Sequence, residues 1–432
     1  MLRFVTLLSV FALSSSLPGE RAMFRGNSAH TGVYTSAAPT LTAAKWAFTT
    51  QGKVISTPAV ADGVVYVGSA DHFLYAIRAS DGTQVWKFQT GLAVHSSPAV
   101  SDGLVYVSSV DGNVYAVNAT DGKLAWKFAT EGEQRFTAKG IHGIQPATET
   151  MPDPFDAFLS SPVVDGGRVY IGSGDKNVYA LDAKSGAVVW KFATGDVVHA
   201  SPAIANGVVY IGSWDRYLYA LDAGTGAVRW KFQTGDDPKI HNQIGIASSA
   251  AIVDGVVLFG CRDGHFYAVD AATGKQKWSE DNKGGWVIAS PAVQGGVVYF
   301  PTSDGTQFKA ITIATGALKW RTVNKAVSFS SPAIASGFVY FGAHDGWLRA
   351  LDLVTGAVKY EFQTDGNKAN AAKYVNTDGT LNYGSIYGDR TLEGIFSGID
   401  RMHTLGSVLS SPVIVDGVAY FGSTDGKVYA VR

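Results

Sequence analysis

The sequence predicts an all-β protein, an eight-bladed β-propeller with four-stranded blades, in which a strand around Trp46 closes the last blade. Three observations support this prediction: a proline-containing motif recurs along the chain, an aromatic motif recurs with it, and the two series are out of step by one unit. The composition agrees, because 50 glycines and 12% aromatic residues suit many short strands joined by tight turns.

Both motifs occur in eight copies. The first is SSPA-like, and its prolines are Pro58, Pro98, Pro162, Pro202, Pro291, Pro332 and Pro412, with Ala250 in place of an eighth. The second is WKF-like, and its aromatic residues are Trp46, Trp86, Trp126, Trp190, Trp230, Trp278, Trp320 and Tyr360. Trp46 has no proline before it, and Pro412 has no aromatic residue after it. The missing strand of the last unit is therefore expected to come from the N-terminal side, so that strand pairing closes the ring.

Each repeat contains four short, mostly apolar segments separated by turn residues. In the fourth repeat, VVYIGS (208–213) follows Asn206 and Gly207, and LYALDA (218–223) precedes the turn that leads to Trp230. Gly-containing pairs of this kind supply the positive φ angles of two-residue hairpins. Four strands in a repeat of about 40 residues are typical of a propeller blade. An open solenoid would need capping units and would not explain the offset of Trp46.

Three long insertions, at residues 131–158, 236–247 and 365–406, interrupt the repeats. All three fall between the aromatic strand of one unit and the first strand of the next. In an up-and-down blade this connection lies on the same face as the loop between the second and third strands. Because functional residues tend to occupy variable loops on a rigid scaffold, we expect the binding site on this loop-rich face.

The charge balance argues against two classes of partner. The chain has 35 basic and 36 acidic residues, a formal net charge of −1, which gives no electrostatic reason to bind nucleic acid or an anionic membrane surface. We therefore expect a protein or a small molecule as the ligand of the loop-rich face, and a monomeric chain.

The N-terminus has the pattern of an export signal. Arg3 precedes an apolar run from Phe4 to Leu13, which is too short to cross a bilayer as an anchor. Residues 1–22 are predicted to be a signal peptide and residues 23–432 the propeller, so a periplasmic or secreted protein is expected; the alternative is a buried N-terminal segment. Since Cys261 is the only cysteine, no intrachain disulfide can form.

An aspartate recurs in the loop between the second and third strands of every unit: Asp71, Asp111, Asp175, Asp215, Asp263, Asp304, Asp345 and Asp425. A residue present in every unit is expected to serve the unit itself, here by accepting N–H bonds within its own turn, rather than to act in catalysis or metal binding. The recurring aromatic residues are likewise expected to pack blade against blade.

Residues that break the repeat are better candidates for function. In the same loops these are Lys176, Trp214, Arg216, Arg262 and His344, together with His72 and Trp347. The insertions add His142, His241, Asn242, Arg390, Arg401 and His403, and the aromatic residues Tyr374, Tyr383 and Tyr387. We expect the histidines and arginines of the insertions to line a pocket at the mouth of the central channel.

Two further histidines, His95 and His199, stand three residues before the repeat proline, where most units have an apolar residue. Both are expected to face the channel mouth. A metal pair is one interpretation, but no third ligand follows at a diagnostic spacing. Polar channel-lining histidines held by water are favoured, and no metal site is assigned.

The repeat resembles a known superfamily. ALDAGTGAVRWKFQTG (220–235), AVDAATGKQKW (268–278) and the lead-in FRGNSAHTG (24–32) are similar to the tryptophan-docking repeat of pyrroloquinoline-quinone (PQQ) propellers and to the segment that often precedes it. That superfamily contains quinoprotein alcohol dehydrogenases, which hold PQQ and calcium at the channel mouth. It also contains non-enzymatic members such as the BamB-type lipoprotein of outer-membrane assembly. The resemblance implies an exported eight-bladed propeller.

The sequence departs from both branches. The dehydrogenases carry adjacent cysteines where this chain has only Cys261, and neither a Cys-x-x-Cys-His site nor an N-terminal cysteine for acylation is present. A binding or scaffold propeller is the favoured function, and a calcium- and PQQ-dependent dehydrogenase acting on an alcohol or sugar is the alternative. In the second case the resemblance implies cofactor contacts from Lys176, Trp214, Arg216, Asn242, Arg262 and His344.

Overall fold

The computed structural model describes residues 22–236, 245–389 and 391–432. It contains eight four-stranded antiparallel sheets and confirms the predicted fold class. The predicted signal peptide lies outside the described residues, apart from Ala22. The helices that the structure describes are confined to loops, and none of them is long and apolar enough to cross a membrane.

Blades 1 to 7 each use four consecutive strands, and blade 8 takes its outer strand from the N-terminal side. The strands, from inner to outer, are Ala59–Ala61, Val64–Gly68, Phe73–Arg78 and Gln84–Gln89 in blade 1; Ala99–Ser101, Leu104–Ser108, Asn113–Asn118 and Leu124–Ala129 in blade 2; Val163–Asp165, Arg168–Gly172, Asn177–Asp182 and Val188–Ala193 in blade 3; Ala203–Ala205, Val208–Gly212, Tyr217–Asp222 and Val228–Gln233 in blade 4; Ala251–Val253, Val256–Gly260, His265–Asp270 and Gln276–Asp281 in blade 5; Ala292–Gln294, Val297–Pro301, Gln307–Thr312 and Leu318–Val323 in blade 6; Ala333–Ala335, Phe338–Gly342, Trp347–Asp352 and Val358–Gln363 in blade 7; and Val413–Val415, Val418–Gly422, Lys427–Val431 and Ala44–Thr49 in blade 8.

The ring closes as the repeat offset predicts. The strand Ala44–Thr49 pairs antiparallel with Lys427–Val431, and Trp46 lies opposite Ala430. The carbonyl of Arg432 also accepts N–H bonds from Thr42 and Ala43. The two ends of the described chain therefore share one sheet, which leaves no blade with an open edge at the seam.

Tryptophan side chains join successive blades. The indole N–H of each outer-strand tryptophan donates to a backbone carbonyl of the next blade, as Trp46 does to Ala79 and Trp190 to Ala223. The indole also lies on the glycine of that blade's last turn, so that a Cβ on Gly226 would come within 2.8 Å of Trp190. Blade 8 has no such turn, because its third and outer strands come from opposite ends of the chain. This explains why the residue facing blade 8 is Tyr360, the one repeat aromatic that is not tryptophan.

Two glycines of blade 4 allow the contribution of the indole–glycine contact to stability to be measured. Both Gly226 and Gly207 have positive φ, but a Cβ on Gly207 would meet nothing within 4 Å. We expect Gly207→Ala to cost about 1–2 kcal/mol from backbone strain alone, and Gly226→Ala to cost a further ~1–3 kcal/mol because the methyl group displaces the Trp190 ring. Guanidinium unfolding midpoints measure the difference. Equal midpoints for the two variants would contradict the role assigned to the indole–glycine contact.

The SSPA motif forms a second closed ring around the central channel. The residue before each proline, or before Ala250, donates its N–H to the hydroxyl of the equivalent residue in the next blade. The donors, in order, are Thr57, Ser97, Ser161, Ser201, Ser249, Ser290, Ser331 and Ser411, and the last bond returns to Thr57. A hydroxyl at this position is therefore explained by bonding between the inner strands.

The segment from Ala22 to Ser36 crosses the face opposite to the insertions. Its carbonyls accept N–H bonds from inner strands of several blades, including Val100, Ile204 and Ile334. Arg25 and His30 are fully buried under this segment, and burial together with the charge of Arg25 lowers the pKa of His30 to about 3. The described lead-in thus covers the channel on this face, so that an opening must lie on the loop-rich face.

The first and third insertions are folded and contact each other. The first contains the hairpin Thr137–Lys139 and Thr150–Pro152 and the short 3₁₀ helix Ile141–Gly143. The other 3₁₀ helix that the structure describes, Phe24–Gly26, belongs to the lead-in segment. The third contains the helices Asp365–Tyr374, Tyr383–Ile386 and Leu392–His403. The guanidinium of Arg135 lies 5.9 Å from the ring centre of Phe396, and Gln145 forms a β-bridge with Thr391. These contacts connect the two insertions to each other.

Candidate ligand-binding cavity

The mouth of the central channel is filled by apolar side chains. Ile55, Ile288, Phe329 and Leu409 come from the segments that lead into four inner strands, and they cluster with residues of the first insertion such as Phe158. Beneath them, only a narrow cavity of about 50 Å³ remains between the serine ring and Phe24. The axis is therefore packed, and the space for a ligand lies to one side of it.

His199 connects blade 4 to the first insertion. Its Nδ1 lies 2.6 Å from Asp156 Oδ1, and its Nε2 lies 2.7 Å from Glu133 Oε1. Burial alone would lower the pKa of His199, but Asp156 and Glu133 raise it to about 10, so the ring is an imidazolium at neutral pH. The ring lines the narrow cavity, and its partners are carboxylates rather than water. No sequence spacing indicated them, because they come from an irregular loop.

His95 occupies the equivalent position in blade 2 but is neutral. Its Nδ1 donates to the carbonyl of Ala157 at 2.9 Å, and burial lowers its pKa to about 4. Two histidines at the same repeat position thus hold neighbouring parts of the first insertion, one through charge and one through a single hydrogen bond. Within the part of the chain that the structure describes, no three His, Cys, Asp or Glu side chains form a metal-binding group.

Arg262 lies at the centre of a buried cluster. Its Nη1 is 2.6 Å from Asp153 Oδ2, and Asp153 also accepts a bond from His142 Nε2 at 2.9 Å. The guanidinium lies over the rings of both Trp214 and Trp286, at 4.5 and 4.2 Å from their centres. Phe136 stacks on Trp214, which is 2% exposed. In this arrangement Trp214 and Arg262 contact protein groups rather than open space.

The other candidates have local partners or lie outside the description. Lys176 is 3.5 Å from Asp196, and Arg216 is 3.1 Å from Asp236; both carboxylates belong to the connection that follows the same blade. Arg401 donates to the carbonyl of Ile386, and His403 lies 3.1 Å from the amine of Lys53. The remaining three candidates, His241, Asn242 and Arg390, lie outside the described residues.

A large cavity lies between blades 5, 6 and 7 and the helices of the third insertion. Its volume is about 1130 Å³, and the candidates from the sequence that line it are His142, His344, Tyr383 and Tyr387. Its walls include the rings of Trp286, Phe329, Phe155, Tyr383 and Tyr387, and its polar lining includes Asp304, Asn282, Lys309 and Arg321. The cavity is as large as the pockets that hold small-molecule ligands, which measure about 300–1,000 Å³.

Blade 6 departs from the repeat at this cavity. In blade 1, Asp71 accepts N–H bonds from Phe73 and Gln51 and a bond from the Tyr75 hydroxyl, and five other blades repeat the phenol bond. In blade 6, the loop 302–306 has one residue more than the loop 69–72 of blade 1. Lys309 also stands where blade 1 has Tyr75. In blade 6 the aspartate therefore lacks the phenol bond of its counterparts, and the carboxylate of Asp304 lines the cavity.

The electrostatics of the cavity leave one carboxylate without a counter-ion. The amine of Lys309 is 2.7 Å from Glu280, and that of Lys283 is 2.8 Å from Asp281. Asp304 forms no ion pair within the described ranges. Although its carboxylate is open to the cavity, the surrounding protein raises its pKa; the neighbouring His142 acts in the opposite direction.

The two histidines of the cavity are neutral near pH 7. Burial lowers the pKa of His344 to about 4 and that of His142 below its ordinary value. Burial also raises the pKa of the Tyr383 hydroxyl to about 12, so this phenol remains protonated. The cavity therefore presents neutral imidazoles, protonated phenols and aromatic rings around the charge of Asp304.

Eight four-stranded blades, joined by indole-to-glycine packing and closed by an N-terminal strand, define a PQQ-repeat β-propeller. The family described as outer membrane protein assembly factor BamB matches residues 40–150, 144–282 and 241–432. This chain belongs to that family. Among proteins of curated function, none is a significant sequence match.

Solved structures share the fold at low sequence identity. BamB from Moraxella catarrhalis aligns with a TM-score of 0.64 and 16% identity, over 90% of this chain and 97% of that one. Quinohemoprotein alcohol dehydrogenase from Comamonas testosteroni aligns with a TM-score of 0.69 and 16% identity, over 95% and 80%. A europium-containing methanol dehydrogenase gives 0.67 and 16%, over 95% and 91%. At this identity the likeness shows the fold alone.

The dehydrogenase branch implies a quinone at the channel mouth. That space is filled here by Ile288, Phe329 and Leu409. Arg262, an expected partner of the quinone carboxylates, is paired with Asp153 and covered by two indole rings. The side chains of the axial mouth, as they are arranged, therefore do not fit PQQ.

Proposed function

We propose that this protein is a binding protein whose loop-rich face takes a small-molecule ligand in the cavity between blades 5, 6 and 7. The observation that carries the proposal is the cavity itself: about 1130 Å³, walled by aromatic rings and lined by the polar side chains of Asp304, Asn282 and Gln307.

The surrounding structure supports a preformed site. The first insertion is held by the buried pairs of His199 and Asp153, and Phe155 of this insertion lines the cavity. The third insertion contributes Tyr383 and Tyr387, whose rings stack at 6.1 Å. A site built from anchored loops loses little conformational entropy when a ligand binds.

A blocking substitution tests this proposal. Gln307 begins the third strand of blade 6 and lines the cavity, and the equivalent residue of blade 7 is Trp347, so the strand accepts an indole at this position. We expect Gln307→Trp to fold normally and to reduce the cavity. Asn113→Trp makes the same change at the equivalent position of blade 2, away from the cavity.

The measurement is a thermal-shift screen of a metabolite library, with Trp286 fluorescence as a second signal. A ligand at about 100 times its Kd stabilises the folded state by ~2.7 kcal/mol. We expect such ligands to raise the Tm of the wild type and of Asn113→Trp, but not of Gln307→Trp. Equal shifts in all three proteins, or no stabilising ligand, would overturn the proposal, as would dye-linked alcohol oxidation in the presence of PQQ and calcium.

A further inference from the structure

The chemical class of the ligand is suggested by the unusual aspartate of blade 6. Asp304 is the aspartate that the extra residue of the loop 302–306 removes from its turn. The carboxylates of its counterparts are stabilised by hydrogen bonds from N–H and phenol donors, as Asp215 is by Gly195, Tyr217 and Tyr219. Asp304 accepts neither the N–H bond from the preceding connection nor the phenol bond; the Ser303 hydroxyl is its hydrogen-bond neighbour, and its exposed carboxylate lines the cavity.

The groups around this carboxylate are mostly aromatic or uncharged; the guanidinium of Arg262 is within electrostatic range but is paired with Asp153. Burial raises the pKa of Tyr383 and of Tyr387, and the charge of Asp304 raises both further, which places the carboxylate within electrostatic range of both phenols. His142 is another neighbour in that range and is neutral near pH 7. Phe329 packs edge-on against His344 at 4.6 Å and belongs to the same wall.

The cations that line the cavity do not neutralise Asp304. Lys309 and Lys283 are paired with Glu280 and Asp281. Arg321 lies on the outer strand opposite Lys309 and is exposed. Along the sheet it is farther from the Asp304 loop than the pair of Gln307 and Val323, which directly follows that loop. Among the described residues, the cavity thus has one carboxylate without an ion-pair partner, beside several ring faces.

We propose that the cavity binds its ligand through a primary or methylated ammonium group, whose charge is balanced by Asp304 and whose surface contacts the rings of Tyr383, Phe329 and Trp286. This inference rests on the proposed function and specifies the ligand of that site. Ring faces attract cations electrostatically, and the attraction is stronger where water is excluded.

The test compares cations with neutral molecules of the same shape. Isothermal titration calorimetry with the full chain uses choline and benzylamine, each paired with its neutral analogue, 3,3-dimethylbutan-1-ol and benzyl alcohol. We expect at least one cation to bind the wild type and its analogue to bind about tenfold or more weakly, the effect of losing a desolvated cation–ring and ion-pair interaction. Analogues that bind as tightly as the cations, or cations that do not bind, would overturn the inference.

Two variants test whether the carboxylate of Asp304 supplies the negative charge that binds the cation. Asp304→Asn keeps the shape of the side chain and is expected to weaken cation binding by about tenfold or more. Glu149→Gln removes an exposed carboxylate of the first insertion, outside the cavity, and is expected to leave binding unchanged. Since Asp304 is exposed and forms no ion pair among the described residues, Asp304→Asn is also expected to leave the Tm at pH 7 nearly unchanged or to raise it slightly. Undiminished cation binding, or a lowered Tm that indicates a structural carboxylate, would contradict the assignment.

The two proposals fail in distinguishable ways. Ligands that bind the wild type and are excluded by Gln307→Trp, but are neutral or anionic, would refute the ammonium inference and leave the binding function intact. An absence of any ligand sensitive to Gln307→Trp would remove the binding function, and the ammonium inference with it.

Discussion

Replacing His199 with alanine is expected to lower the free energy of unfolding by about 3–5 kcal/mol and to loosen the first insertion. His199 is buried between Asp156 and Glu133, with both ring nitrogens within 2.7 Å of a carboxylate oxygen. Removing one partner of a buried ion pair costs about this much, because the remaining charge stays buried without compensation. Hydrogen exchange of residues 133–158 and guanidinium unfolding measure the two effects.

His95 provides the control for this prediction. It stands at the same repeat position, but it is neutral and makes one bond to the carbonyl of Ala157. His95→Ala is therefore expected to cost only about 1 kcal/mol for the lost bond, plus the cost of the smaller side chain. If the two variants lost similar stability, the ionic role assigned to His199 would be wrong.

The same pair predicts how stability depends on pH. The carboxylates raise the pKa of His199 from 6.5 to about 10 on folding. A raised histidine pKa stabilises the folded state fully below about pH 6.5, and this stabilisation is lost as the pH rises through about 10. The stability difference between wild type and His199→Ala should therefore shrink as the pH rises from 7 to 10. A difference that stays constant over this range would show that the ring is not charged.

Replacing Trp46 with alanine is expected to cost about 3–5 kcal/mol, as for other large-to-small changes of a buried aromatic residue. Trp46 is 8% exposed, packs against Tyr420 at 5.9 Å and on Gly82 of blade 1, and donates its indole N–H to Ala79. It also lies in the strand that joins the two ends of the described chain. We therefore expect faster hydrogen exchange in the strand Lys427–Val431.

Trp190→Ala separates packing from ring closure. Trp190 makes the same indole bond to Ala223 and lies on Gly226, but its strand is continuous with the rest of blade 3. We expect a similar loss of stability from Trp190→Ala without faster exchange at Lys427–Val431. If Trp46→Ala also left that strand protected, closure would not depend on the tryptophan.

Much of the fold is predictable because each blade contains the same short sequence motifs, which make the same contacts. The hydroxyl before each proline, the glycine of each last turn and the aromatic residue of each outer strand all make contacts with the adjacent blade. A contact that recurs once per repeat leaves a periodic signal in the sequence. The aromatic series begins at Trp46, before the first repeat proline Pro58, and this offset was sufficient to predict how the ring closes.

The candidate site was less predictable because it depends on exceptions to the repeat. His142 and His344 do line the cavity, whereas Trp214 and Arg262 contact each other beneath Trp286. Asp304 was grouped with the structural aspartates, although one extra residue between Pro291 and Trp320 was a visible sign of its displacement. Trp286 gave no signal, since it lies in a connection without an internal repeat.

The amino-acid sequence by itself determined the number of blades, their strand order and the seam near Trp46, because these depend on contacts that every repeat encodes. Only the tertiary structure decided which polar residues meet. His199 with Glu133, and Asp304 with Tyr383, come from segments far apart in the chain, and irregular loops carry no period that could align them. The physical reason is that the free energy of a buried charge depends on the groups around it, and only the packing of the folded chain brings those groups together.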